Sequence, residues 1–163
     1  MIKIHNSSYL EFNSKKYKCA IGKNGIRTFK KEGDSSTPAG TYRIIKIYYR
    51  KDRINNLKTK IKKIAIKKNM GWCDDSKSKK YNKLVLLPCS YTNEKLYRKD
   101  NLYDIVCVLN YNTNIVKKNK GSAIFIHIAK KKYSPTKGCV ALNKKDLINI
   151  LGKISSKTKI IIN

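Results

Sequence analysis

His127 and Cys139 are the first residues in this chain that suggest chemistry. They lie twelve positions apart in the segment Gly121-Ser-Ala-Ile-Phe-Ile-His127-Ile128-Ala-Lys-Lys-Lys-Tyr-Ser-Pro-Thr136-Lys137-Gly138-Cys139-Val-Ala-Leu142. A thiol with a pKa of about 8.5 is mostly protonated at neutral pH, and a neighbouring imidazole can take its proton to give a nucleophilic thiolate. Gly138 lets the chain turn sharply beside the thiol, and backbone N–H groups of residues 137 to 139 can face an oxyanion. Lys130, Lys131, Lys132 and Lys137 lie between base and nucleophile. Positive charge there favours a thiolate and draws in a carboxylate. The plain alternative is a core histidine and a small buried cysteine.

The other cysteines do not form a site. Cys19, Cys73, Cys89 and Cys107 make no Cys-x-x-Cys pair with one another or with Cys139, and there are only two histidines. A zinc site of ordinary spacing is therefore not expected. The odd count speaks against a disulfide-stapled domain. Cys19, Cys89 and Cys107 sit in apolar or alternating stretches and read as small core residues; Cys73, beside Trp72, has no clear assignment.

Strands must position the His and the Cys. Short runs rich in Ile, Val, Tyr and Phe recur at Ile2 to His5, Tyr9 to Phe12, Lys16 to Ile21, Thr41 to Tyr49, Lys83 to Leu87, Asp104 to Asn110, Ala123 to Ile128 and Lys157 to Ile162. Several alternate with period two, and turn-type residues separate the first of them. His127 falls at the end of a buried strand, a basic loop follows, and a helix is expected soon after Cys139. That helix is read as Asn143 to Leu151, with Asn143 as N-cap, Leu147, Ile148, Ile150 and Leu151 as apolar face, and Gly152 as stop. Leu57 to Lys68 fits either a basic helix or a strand pair. The expected fold is mainly β with one or two short helices, in a single domain spanning residues 1–163.

Thr136-Lys137-Gly138-Cys139-Val140, with His127 upstream, resembles the catalytic signature of the L,D-transpeptidase (YkuD-type) family. That signature is a His, a variable loop, then Ser/Thr-x-Gly-Cys followed by an aliphatic residue. A second block, Glu32-Gly33-Asp34-Ser35-Ser36-Thr37-Pro38-Ala39-Gly40-Thr41-Tyr42-Arg43-Ile44, resembles the Thr-Pro-x-Gly-x-Phe/Tyr segment of the same family. Gly71-Trp72-Cys73-Asp74-Asp75, Glu94 to Asp104 and Asn110-Tyr111-Asn112 resemble a proteobacterial branch in which the catalytic domain stands alone. The likeness runs from about Tyr17 to Ile162.

The resemblance implies a β-sandwich or barrel with Cys139 as nucleophile, His127 as base and the Ile128 carbonyl orienting the imidazole. It also implies the amides of Lys137, Gly138 and Cys139 as oxyanion donors. The implied substrates are peptidoglycan stem peptides or muropeptides. A thioester forms, D-Ala leaves, and an amine then gives a 3→3 cross-link, or water gives an L,D-carboxypeptidase. Trp72, Tyr111 and Asn112 are substrate contacts by resemblance, with core packing and turns as the alternative, and Thr37 to Gly40 reads more as a structural turn. The chain departs from the pattern twice. Ile128 replaces the usual Gly after the His, and Ala141 stands where many members carry an Arg that suits a substrate carboxylate. Arg98, Lys137 or Lys130 to Lys132 are the residues available for that task, and Thr136 borders it. No metal or organic cofactor is needed.

The chain is strongly basic, with 38 Lys or Arg against 10 Asp or Glu in 163 residues and a net charge of +28. Most of this is composition. Lys occurs 33 times and Arg only 5, and Lys, Ile and Asn together make 71 residues, all three having A/T-rich codons. Attraction to a nucleic acid or an anionic envelope polymer is the alternative. Phosphate readers favour the Arg fork, however, and no reading helix or RNA-binding motif is present, so nucleic acid is not an expected partner. No apolar run approaches the roughly 20 residues of a membrane helix. The first residues lack the pattern of a secretory leader. A transpeptidase is expected in the periplasm or envelope, whereas a carboxypeptidase acting on recycled wall fragments would suit the cytoplasm.

Overall fold

β-branched and aromatic runs broken by Asn, Ser and Gly become fifteen short strands, and one amphipathic stretch becomes the only helix. The computed structural model describes residues 1–163. The elements are β1 (Ile2–His5), β2 (Tyr9–Phe12), β3 (Lys15–Ala20), β4 (Ile26–Arg27), β5 (Thr37–Pro38), β6 (Gly40–Tyr42), β7 (Ile44–Tyr49), β8 (Lys63–Ala65), β9 (Met70–Cys73), β10 (Leu84–Leu86), β11 (Asn93–Lys95), β12 (Ile105–Leu109), β13 (Phe125–Ile128), β14 (Val140–Leu142), α1 (Lys144–Lys153) and β15 (Ile160–Ile162). Ten strands form one curled sheet in the order β6-β15-β1-β2-β3-β14-β13-β12-β7-β8. A second sheet, β10-β9-β11, has three strands, and β4 pairs with β5.

The central strands are buried on both faces, and their alternation defines two cores. In β12, Ile105, Cys107 and Leu109 join one apolar cluster, while Val106 and Val108 join the other. In β13 and the residue before it, Ile124, Ile126 and Ile128 share the first cluster, and Phe125 belongs to the second. The period of two in a strand produces this division. Leu147, Ile150 and Leu151 of α1 belong to the first cluster, and Met70 and Trp72 of the small sheet belong to the second. His127 therefore points to the face covered by the small sheet, on the same side of β13 as Phe125.

The mainly β fold agrees with the sequence expectation, with differences in detail. Cys139 is followed at once by β14, and α1 begins only after it, because Val140 and Leu142 are wholly buried and pair in parallel with β13. Asn143 caps α1, its Oδ1 accepting the Lys145 N–H at 2.8 Å. The helix runs through Gly152 to Lys153 rather than stopping at Leu151. Leu57 to Lys68 is neither a helix nor a strand pair. It is a loop anchored by Leu57, Ile61 and Ile66, carrying the single strand β8 along β7. Cys89 is only half-buried, unlike Cys19 and Cys107.

Candidate active site

The register of two parallel strands brings the His and the Cys together. His127 on β13 sits opposite Ala141 on β14, and Ile126 opposite Val140. Cys139, one residue before β14, thus reaches the start of β13. The Phe125 N–H donates to its Sγ at 3.4 Å, and the thiol donates to the Ala123 carbonyl at 3.1 Å. His127 and Cys139 line one cleft of about 350 Å³ together with Thr136, Lys137, Arg98, Glu94 and Tyr103.

The imidazole is firmly placed. His127 is 7% exposed and stacks edge-on against Tyr103, with ring centroids 5.3 Å apart. Its Nδ1 lies 2.9 Å from the Ile128 carbonyl oxygen. This fixes the tautomer with the proton on Nδ1 and leaves Nε2 as the lone-pair atom. Burial pushes the imidazole down to about 4, and the Arg98 guanidinium adds to that, against the opposing pull of the Ile128 carbonyl and Asp100. At neutral pH His127 is uncharged.

The thiol is also uncharged at rest. Burial raises Cys139 to about 12, and the Glu94 carboxylate raises it further, while the Phe125 N–H and Lys30 lower it. This corrects the expected role of Lys130 to Lys132 and Lys137 in favouring the thiolate. Those four side chains are exposed or near the surface, and the cation that acts on the sulfur is Lys30. Lys30 is itself buried, its Nζ held by Asp34 Oδ1 at 2.7 Å. Burial favours the neutral Asp34 carboxyl, but the bonds from Lys30 and from the Lys31 and Ser36 N–H groups hold it well below the usual range.

The loop before the sulfur is braced from inside. Thr136 Oγ1 accepts the Gly138 N–H at 3.0 Å and donates to the Cys139 carbonyl at 2.6 Å. The Gly138 amide is therefore engaged, and of the three amides expected to face an oxyanion, those of Lys137 and Cys139 are left without a backbone partner. Gly138 has φ +136°, and a Cβ there would lie 2.7 Å from the Ser36 carbonyl oxygen. Only glycine fits both constraints. Arg98 reaches the cleft, but its Nε and Nη2 are held by Asp100 at 2.9 and 2.6 Å.

Trp72, Tyr111 and Asn112 do not line the cleft. Trp72 is 6% exposed and packs edge-on against Phe125 and Tyr48. Tyr111 packs on Tyr42, and Asn112 ties its own loop to Lys117 and Gly121. All three instead meet Asn82, which the sequence reading missed. Asn82 Oδ1 accepts from Trp72 Nε1 at 2.9 Å and from the Ala123 N–H at 3.0 Å. Its Nδ2 donates to the carbonyls of Tyr111 at 3.3 Å and Asn112 at 2.7 Å. Through Asn82, the three residues expected as substrate contacts hold Ala123, whose carbonyl receives the Cys139 S–H. Asn82 follows Tyr81 in an ordinary polar stretch, and nothing in its spacing distinguishes it.

The Thr37 to Gly40 segment lines neither cavity, but it is strand and not the expected turn: Gly40 already opens β6. Thr37 Oγ1 accepts the Gly22 N–H at 2.8 Å, and Thr37–Pro38 is β5. The residues just before it behave differently: Glu32, Gly33 and Ser35 line a second cavity that also contains Cys139. No curated protein matches the chain by sequence. The family model of the L,D-transpeptidase catalytic domain matches residues 5–162, nearly the whole length and across both the Thr-Pro block and the His–Cys segment, so the chain belongs to the YkuD family of L,D-transpeptidase catalytic domains.

Proposed function

We propose that this protein is a cysteine-dependent L,D-transpeptidase acting on peptidoglycan tetrapeptide stems, with Cys139 as nucleophile and His127 as base. The observation that carries the reading is the shared cleft of His127 and Cys139, with Nδ1 of the imidazole held 2.9 Å from the Ile128 carbonyl. Nε2 is then free to receive a proton.

Both groups are neutral at rest, so no ion pair waits for substrate. The thiol proton passes to His127 Nε2 as sulfur attacks the carbonyl of the third stem residue. The oxyanion faces the free amides of Lys137 and Cys139. Return of the proton to the leaving nitrogen breaks the C–N bond, and D-Ala departs from a thioester on Cys139. An amine of a second stem attacks that thioester, the C–S bond breaks, and the thiol is restored with a 3→3 cross-link. Attack by water instead gives an L,D-carboxypeptidase product. Arg98 and Lys137, both on the cleft, stand in for the Arg that Ala141 replaces in contacting the donor carboxylate.

The test is incubation of the purified protein with disaccharide-tetrapeptide. D-Ala release that Cys139→Ala abolishes is expected, with mass spectrometry separating tripeptide from cross-linked dimer. No D-Ala release from any tetrapeptide donor overturns the proposal.

A further inference from the structure

Arginine is scarce in this chain, 5 residues against 33 lysines, yet three of the five meet at one loop. Residues 96–104 join β11 to β12 and form one wall of the cleft, to which they give Arg98, Leu102 and Tyr103. The stretch contains no strand. Arg50 and Arg53, just after β7, fix its shape instead.

Arg50 Nη1 donates to the Arg98 carbonyl at 2.7 Å, and its guanidinium lies 3.6 Å from the centre of the Tyr97 ring. The other edge of Arg50 is held by both Asp52 oxygens, at 2.8 and 2.6 Å. Arg53 spreads its fork over the next two carbonyls, Nη2 to Lys99 at 3.0 Å and Nη1 to Asp100 at 2.8 Å. Its Nη1 also reaches Asp104 Oδ1 at 3.0 Å. Three successive carbonyls of the wall thus end on two guanidinium groups. A lysine carries the same charge on a single nitrogen and cannot span two carbonyls with a planar fork. In a chain that uses lysine almost everywhere, charge alone does not account for arginine at both positions.

The part of the wall held this way is the backbone that carries Arg98. Asp100 takes the Arg98 Nε and Nη2, and the Tyr103 ring lies 5.2 Å from its guanidinium. Nη1 is left without a protein partner. Asp100 braces Arg98 only while the 98–100 backbone keeps its shape, and the clamped carbonyls are those of Arg98, Lys99 and Asp100. A guanidinium edge fixed in advance suits a carboxylate, because its ordering cost is already met.

We propose that Arg50 and Arg53 are positioning residues that make the cleft selective for a donor ending in a free carboxylate, by holding the wall on which Arg98 presents Nη1. The proposal rests on the transpeptidase reading and deepens it, since it names what keeps the donor-binding guanidinium in place. Neither residue lines the cleft, so both act through Arg98.

The test compares two probes on the Cys139→Ala protein, which leaves the donor intact. One is disaccharide-tetrapeptide, and the other is the same molecule with its terminal carboxyl converted to a carboxamide. The carboxylate probe is expected to bind about tenfold tighter, the size of one charge-assisted hydrogen bond. Arg53→Lys, at a side chain 31% exposed, should shrink that preference to about twofold as this bond is lost. Asp52→Asn, at an exposed position that touches only the clamp, should lower it in the same direction. In an Arg98→Gln background Arg53→Lys should leave the preference as it is. Equal weakening of both probes by Arg53→Lys marks a merely structural role and overturns the proposal. An undiminished preference in both variants overturns it too. Without any substrate, ¹⁵N relaxation of the Lys99 and Asp100 amides should show order in the unaltered protein and mobility in Arg53→Lys; equal order in both overturns the clamp. Absence of D-Ala release from the unaltered enzyme would instead reject the function proposed above, while the relaxation measurement still decides the clamp.

Discussion

The Cys139 thiol donates to the carbonyl of Ala123 at 3.1 Å, across sixteen positions of sequence. Ala123 holds φ +51°, a left-handed conformation unusual for a residue with a Cβ. Its N–H is fixed by Asn82 Oδ1 and its carbonyl by the sulfur. Cys139 is therefore parked as a neutral thiol on a backbone acceptor, and ionisation requires leaving that contact.

This parking predicts slow alkylation. Burial holds Cys139 at about 12, so the rate of iodoacetamide modification should keep rising through pH 9 without a plateau. Lys30→Gln removes the one cation that lowers the thiol and should slow modification severalfold at pH 8. Lys131→Gln with Lys132→Gln should leave the profile unchanged. A plateau with a midpoint below pH 8 would contradict a resting neutral thiol.

Asn82 predicts a separation of stability and binding. Asn82→Ala leaves Trp72 Nε1 and the Ala123 N–H without their acceptor in a site 4% exposed. Each orphaned group costs about 1–3 kcal/mol, so urea unfolding should show a loss of about 3 kcal/mol. Trp72→Phe forfeits one of these bonds and keeps most of the packing, at about 1–2 kcal/mol. Because Trp72 touches the core and not the cleft, KM for the donor should stay within about twofold, the exposed-contact effect being absent. A large KM change on Trp72→Phe would return it to the substrate side.

The sequence carried the parts of this site that depend on local chemistry. His127, Gly138 and Cys139 were legible because, with Thr136, their order and spacing match the His…Ser/Thr-x-Gly-Cys signature of the family; the residue types alone also fit a core histidine and a buried cysteine. The β class was legible from alternation in β1 and β2 and from the β-branched and aromatic content of β7 and β12. Strand β14 was not, since Val140 to Leu142 is too short to show a period, and its pairing with β13 is a long-range event. Strand β9 was missed because Met70-Gly71-Trp72-Cys73 is buried on both faces and does not alternate, and β11 because Asn93-Glu94-Lys95 is short and wholly polar. Lys30 read as one more solvated lysine among 33. Its burial depends on Asp34 and on the close approach of Gly138, which no local pattern encodes.

Acid stability follows from His127. The folded imidazole stays neutral down to about 4, whereas the unfolded one takes a proton near 6.5. Below pH 6.5 the unfolded state therefore binds more protons, and stability falls as pH drops from 6.5 to 4, by about 3 kcal/mol in all. Asp34 acts in a lower window, because its depressed carboxyl loses its stabilising bonds only below the ordinary carboxylate range. Urea midpoints at pH 7, 5.5 and 4.5 should thus decline, and His127→Gln should flatten that decline. An unchanged slope in His127→Gln would assign the acid lability to other groups.

The brace at Thr136 sets the last expectation. Its hydroxyl is the only side-chain partner of the Gly138 N–H and also grips the Cys139 carbonyl. Thr136→Val keeps shape and loses both bonds, each about 0.5–1.5 kcal/mol. The direct cost should be about 1–3 kcal/mol of stability, but the larger effect falls on the position of the sulfur and the free amides of Lys137 and Cys139. Misplacement by about 1 Å can cost on the order of 100-fold in rate. D-Ala release by Thr136→Val should therefore drop 10- to 100-fold in kcat by that estimate, with KM little changed, and Thr136→Ser should restore most of it. Gly138→Ala should be worse than either, because its methyl meets the Ser36 carbonyl at 2.7 Å in a backbone conformation that L residues rarely adopt. If Thr136→Val turned over at the native rate, the Thr136 backbone bonds to Ile21 and Lys23 would suffice to hold the loop.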